Sequence, residues 1–293
     1  MTWFGWAVCS AFLSAGAAIT QKKILLRVGA LEFSFLVSAA ILVVALFIPL
    51  STNVAVPFMP TLALLIGKSL VGGAAFFLVM LALERNQIST ALPLLGLTPA
   101  IAALLAFLAL GESLSGWECS GIALMIAGTY VLEMKPGRRM FLPAAGGSMV
   151  RRYAPIVGAL ALFAVSSVAD RLLLGTMQIP PLVVLFYQSI VYCGLFGALL
   201  LGRRESFRGV LDAGRQQLPL IAAVALLTVA YRAAQLEATV AAPIALVLAV
   251  KRSSILIASF FGGRLFADQR LAPKLVGGAM IVAAGFLILR NVA

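Results

Sequence analysis

The sequence predicts an all-α polytopic membrane protein, with ten transmembrane helices arranged as two inverted five-helix repeats. Three observations carry that expectation. Of the 293 residues, 62% are hydrophobic and 11% charged, with a mean hydropathy of +1.09; soluble domains are about 45–50% apolar and 25% charged. The apolar residues fall into ten runs of about the 20 residues that a helix needs to cross the hydrocarbon core. One polar linker divides these runs five and five, and polar landmarks recur at matching places in both halves.

The spans are 3–21, 31–50, 60–83, 89–110, 115–134, 153–174, 180–201, 217–236, 239–262 and 271–290. The first lacks a basic leader and a small-residue cleavage site, so it reads as a retained helix and not a signal peptide. Trp3, Trp6 and Trp117 stand at span ends and fit an aromatic belt. Gly29, Gly111, Gly116, Gly137 and Pro180 punctuate the connections, most of which are a few residues long, so sequential helices are expected to be antiparallel neighbours. The third span carries Lys68 and the run Gly72-Gly73-Ala74-Ala75; like Gly277, Gly278 and Gly285 in the tenth, these small residues let backbones approach closely. Pro93 and Pro99 in the fourth span and Pro243 in the ninth are expected to kink or break their helices. Glu112 and Asp268 occupy matching short turns, where each carboxylate favours the N-terminus of the helix that follows.

The linker, 135–152, reads KPGRRMFLPAAGGSMVRR and separates a first repeat, 1–134, from a second, 153–293. Ala18-Ile19-Thr20-Gln21-Lys22 is matched 149 residues later by Ser167-Val168-Ala169-Asp170-Arg171. Glu112 and Gly121 are nine residues apart, as are Asp268 and Gly277. An odd number of helices per half forces the second copy to be inverted, the arrangement of carriers that bind substrate where the repeats meet near the midplane.

Several function classes drop out. The net charge of +12 is spread over short inter-helix loops and is not gathered on a polar domain, so nucleic acid is not expected as a partner. With no histidine there is no Ser–His or His–metal chemistry, and Cys9, Cys119 and Cys193 form no ligand pair or disulfide framework. An enzyme, a cofactor and a metal are therefore not expected. No GxxxxGK[ST] motif is present, which leaves gradients or exchange as the driving force for transport.

Lys22 and Arg171 ending the first helix of each half, Pro99 before Glu112, and Gly111-Glu112-Ser113-Leu114 with Gly121 and Gly128 together resemble the EamA-type permeases of the drug/metabolite transporter superfamily. The second half departs from that pattern in having Asp268 where the family usually has Glu, and in lacking a counterpart to Pro99. The resemblance implies a secondary transporter of a small molecule, working by alternating access as a monomer or homodimer among membrane lipids, in a bacterial cytoplasmic (inner) membrane. Within the superfamily, Leu248-Ala249-Val250-Lys251-Arg252-Ser253-Ser254, with Tyr231, is similar to the helix-nine region of plastid phosphate translocators. There a Lys-Arg pair binds the substrate phosphate; the further lysine those proteins carry on helix four has no partner here.

The candidate site follows from energetics as well as resemblance. A charged side chain at the bilayer centre costs roughly 2.5–3.5 kcal/mol by insertion scales, and Lys251 and Arg252 are neighbours that also repel. Lys251 supplies a point charge and Arg252 a planar fork for a carboxylate or phosphate, with Ser254 on nearly the same helical face as Lys251. Tyr231, Arg232 and Lys68 are further intramembrane candidates, and Tyr187, Gln188 and Tyr192 on the seventh span are expected either to line a cavity or to hydrogen-bond between helices. The expected substrate is an organic anion, carboxylate or phosphate. The alternatives are an exporter of amino acids or drugs with a structural basic pair, and a lipid flippase or non-transporting scaffold. Loops 21–30, 135–152 and 202–216 carry most of the cations, which by the positive-inside rule places the linker in the cytoplasm and both termini outside, whereas the family resemblance implies the reverse orientation.

Overall fold

Apolar runs of membrane-spanning length require helices, because a backbone in lipid must satisfy its own polar groups. A computed structural model describes residues 2–51, 58–97, 115–133, 147–173, 177–203, 207–241, 250–251 and 253–289. Its helices are α1 (Trp3–Leu25), α2 (Ala30–Ala45), α3 (Ile48–Ser51), α4 (Met59–Arg85), α5 (Ile88–Leu95), α6 (Gly116–Glu133), α7 (Gly147–Arg171), α8 (Pro181–Gly202), α9 (Phe207–Gln216), α10 (Leu218–Ala241), α11 (Ser253–Leu265) and α12 (Leu271–Leu289). Four helical stretches, Trp3–Leu25, Met59–Arg85, Pro181–Gly202 and Leu218–Gln235, are long and apolar enough to cross a membrane, and shorter apolar helices accompany them.

Local chemistry sets the ends. The Thr2 hydroxyl accepts from the Gly5 amide at 3.3 Å to open α1, and the Glu32 carboxylate accepts from the Gly29 amide at 3.2 Å to open α2. The second span divides: α2 stops at Ala45 and α3 follows, because Pro49 lacks an N–H and its ring clashes with the carbonyl four residues back. In the fourth span α5 closes at Leu95, with the Gly96 amide donating to the carbonyls of Leu92 at 3.1 Å and Pro93 at 2.9 Å. The rest of that span, with Pro99 and Glu112, lies outside the described residues.

Two expectations are corrected. Thr239–Ala241 belong to α10 and not to the ninth span, since nothing between Pro219 and Pro243 interrupts helical propagation. The Lys-Arg pair is thus not at the middle of one helix starting at Thr239; Pro243, within 242–249, lies outside the described residues. The stretch 202–216, expected as a basic loop, contains α9, with Val210 and Gly214 buried and Asp212 and Arg215 paired in solvent at 3.6 Å. Such an exposed pair adds little stability, so the helix is held by its apolar face. A Cβ on Gly214 would lie 2.7 Å from Leu36 Cδ2, which places α9 against α2.

The main core gathers Ile24, Phe33, Met80, Leu83, Phe196 and Val224 from α1, α2, α4, α8 and α10. The α6–α12 pair is the most extensive helix contact and depends on small residues. A Cβ on Gly128 would lie 2.8 Å from the Gly277 carbonyl oxygen and 2.9 Å from Met280 Cβ, so backbone would have to move. Gly128→Ala is expected to destabilise the protein by about 1–3 kcal/mol. Thermal unfolding in detergent checks this, and an unchanged midpoint contradicts it.

Candidate functional site

The directions of three helices define where a site can lie. Trp3, Trp6 and Val250 pack around Ala7 and Ala238, while a Cβ on Gly262 would meet Ile88 and Ile19. α1 and α11 therefore run side by side in the same direction. α5 runs against them: the Asp268 carboxylate, just beyond α11, accepts from the Ser89 amide at 3.0 Å and the Ser89 hydroxyl at 2.5 Å at the start of α5. Asp268 thus caps the N-terminus of α5, distant in sequence, because the turn after α11 packs onto the start of α5. Its expected counterpart, Glu112, lies outside the described residues.

Between α1, α5, α7 and α11 is a cavity of about 290 Å³, lined by Ser14, Ala18, Leu92, Leu95, Phe163, Lys251, Ser254, Ile255 and Ala258. Two of these helices precede the 134–146 segment and two follow it, so both halves of the chain build the walls. Ser14 lies about halfway along α1. Lys251, Ser254, Ile255 and Ala258 follow the 3–4 spacing of one helical face, which covers about 10 Å along the axis.

Lys251 is held in place from outside the cavity. Its ammonium donates to the Gln235 Oε1 at 2.5 Å and lies 4.7 Å from the centroid of the Tyr231 ring. Gln235 is one turn beyond Tyr231 on α10, so one helix face supplies both contacts. The Tyr231 carbonyl in turn accepts from the buried Ser10 hydroxyl at 2.8 Å, tying α10 to α1.

Of the residues expected from sequence, Lys251, Ser254 and Tyr231 are thus brought together, and Arg252 lies outside the described residues. Lys68, Gln188 and Tyr192 do not line this cavity. Lys68, buried in α4, donates to the Gln188 Oε1 on α8 at 2.9 Å, and one turn further along both helices the Tyr192 ring covers Gly72 and Gly73. An intramembrane ammonium needs an acceptor, and the amide one helix away supplies it. Tyr187 stacks edge to face on Phe186 at 5.5 Å, and Arg232 is half-buried on α10; neither lines the cavity. Ser14, Gln235 and Phe163 were not anticipated. The signals available were the Ser10, Ser14, Ala18 spacing on α1 and an amide one turn from Tyr231.

Comparison with known proteins agrees with this architecture. A solved crystal structure of a protein 17% identical superposes with a TM-score of 0.63 over 99% of this chain and 98% of its own, which shows a shared fold. No curated protein matches the chain. The model of the EamA-like transporter family matches residues 1–134. Over those residues the chain is similar to the EamA-like transporter family.

Proposed function

We propose that the protein is an alternating-access carrier that exchanges small organic anions, carboxylates or phosphates, at the cavity where its two halves meet. The observation that carries this reading is Lys251 in the wall of that cavity, with Ser254 one turn further along the same face. Arg252, next in sequence, adds a second cation to the same segment. Residues 1–134 and 153–293 form the two repeats, joined by the linker 135–152. The opposed directions of α5 and α11, which fall in the fourth and ninth spans expected from sequence, support their inversion.

Charge explains why such a site exchanges. Reorienting an empty basic cavity through the low-dielectric middle of the membrane is costly, whereas a bound anion offsets the charge during the crossing. In proteoliposomes loaded with an unlabelled organic anion, efflux is expected to depend on an exchangeable anion outside. Lipid scrambling without solute movement, or efflux equally fast into anion-free buffer, overturns the reading.

A further inference from the structure

One end of the bundle carries most of the exposed charge among the described residues. α1 and α4 finish there together, since the Lys22 ammonium reaches the Leu83 and Asn86 carbonyls. α8 runs in the same direction as α4, with Gln188 bonded to Lys68 and Phe196 beside Phe76, so it finishes at this end too. α11 also arrives here, where Asp268 bonds Ser89, three residues beyond Asn86. The exposed cations at this end are Lys23, Arg27 and Arg85 from the first half and Arg203, Arg215, Arg264 and Arg270 from the second. The exposed acid among the described residues is Asp212, with Glu32, Glu84 and Asp268 half-buried. At the Trp3 end the described exposed charge is Glu237, next to Ala238.

Three of the cations gather around α9. A Cβ on Gly197 would lie 3.5 Å from the Phe35 ring, and α8 finishes where α2 starts. Arg203, six residues or about 9 Å beyond Gly197, therefore emerges level with the α1–α2 turn that carries Arg27. α9 packs onto α2 through Val210 and Gly214, the latter against Leu36, and leaves Leu211 and Arg215 exposed. Leu26, Leu201, Leu211 and Leu218 are exposed as well, so an apolar side chain lies within four residues of each arginine. That is the pattern of a surface at the boundary between hydrocarbon and headgroups, where leucine stays among acyl chains and arginine reaches phosphate.

From this we propose that α9 is an interfacial helix and that Arg27, Arg203 and Arg215 form a docking surface for acidic phospholipid headgroups. A guanidinium can grip a phosphate through two parallel hydrogen bonds, and each arginine near an anionic headgroup layer contributes about fivefold in affinity. Asp212, 3.6 Å from Arg215, offsets part of that residue's charge, so Arg27 and Arg203 carry most of the preference. The surface is independent of the solute that the carrier moves.

The test is titration of the purified full-length protein, in a neutral detergent, with dioleoyl phosphatidylglycerol or dioleoyl phosphatidylcholine, read by thermal unfolding. Phosphatidylglycerol is expected to bind on the order of 25-fold more tightly, a difference that shrinks as salt screens it. Arg27→Gln combined with Arg203→Gln is expected to remove most of that difference. Arg264→Gln combined with Arg270→Gln, at the same end but on α11 and the turn after it, is expected to retain it. Should the first pair fold poorly, each single variant is expected to lose about fivefold. Equal binding of the two lipids overturns the proposal, and so does an equal loss from both pairs, which would reduce the effect to net charge. Stabilisation by free glycerol phosphate that matches phosphatidylglycerol assigns the arginines to a soluble anion and overturns the lipid surface.

Discussion

Replacing Lys251 by methionine is expected to remove anion binding while leaving the helix bundle folded. Methionine keeps an unbranched apolar stem of similar length, so the wall beside Ser254 and Ile255 is refilled and only the charge is lost. A hydrogen bond to an ionised partner is worth about 1.5–3 kcal/mol, so affinity for a stabilising carboxylate should fall on the order of ten- to 150-fold. Lys251→Arg should retain part of the binding, because charge is kept while a planar fork replaces a compact ammonium. Gln235→Leu should weaken binding less than Lys251→Met, since it removes the acceptor that positions the ammonium at 2.5 Å but not the cation. Anion titrations monitored by thermal unfolding give all three. An unchanged anion affinity in a folded Lys251→Met protein removes this residue from the site and favours an exporter with a structural basic pair.

How much of this was legible in the sequence depended on the kind of signal. Lys251 stood out because charge in an apolar run is costly wherever the helix points, and Ser254 followed from helical spacing alone. Lys68 stood out for the same reason, yet its direction toward Gln188 depends on how α4 packs on α8, which composition does not encode. Ser14, Ala18 and Phe163 carry no charge, and the face of α1 or α7 that meets the cavity is decided by neighbouring helices. The pattern of α9 was present, with Phe207, Val210, Leu211 and Gly214 at 3–4 spacing, but the surrounding arginines made the segment read as a basic loop. The Asp268 result has a related cause. Reasoning about caps sees only chain neighbours, and Ser89 is 179 residues away.

At the end of the bundle away from Trp3, losing Lys22 is expected to be the most destabilising single change among these polar contacts. Lys22 is 6% exposed, and its ammonium donates to the Leu83 carbonyl at 2.5 Å, in the last turn of α4, and to the carbonyl of the C-cap residue Asn86 at 2.9 Å. Helix C-termini leave such carbonyls without intrahelical donors, and a buried acceptor deprived of its partner costs about 1–3 kcal/mol. Lys22→Met should therefore lower unfolding free energy by about 2–4 kcal/mol. Asp268→Ala, which removes both bonds to Ser89 at the N-terminus of α5, should cost about 1–2 kcal/mol. The ammonium of Lys22 also feels the carboxylates of Asp268 and Glu84, so the two substitutions act on one cluster. In a double-mutant cycle the pair should depart from additivity by about 0.5–3 kcal/mol, with the combined loss smaller than the sum. Denaturant unfolding in micelles measures each variant, and strict additivity would mean that Lys22 and Asp268 hold their helices independently. Coupling has a structural consequence, because Lys22 belongs to the first half of the chain and Asp268 to the second. Under the alternating-access reading proposed above, halves that rock against each other must loosen the contacts that join them, and the Asp268–Ser89 bonds are one such contact.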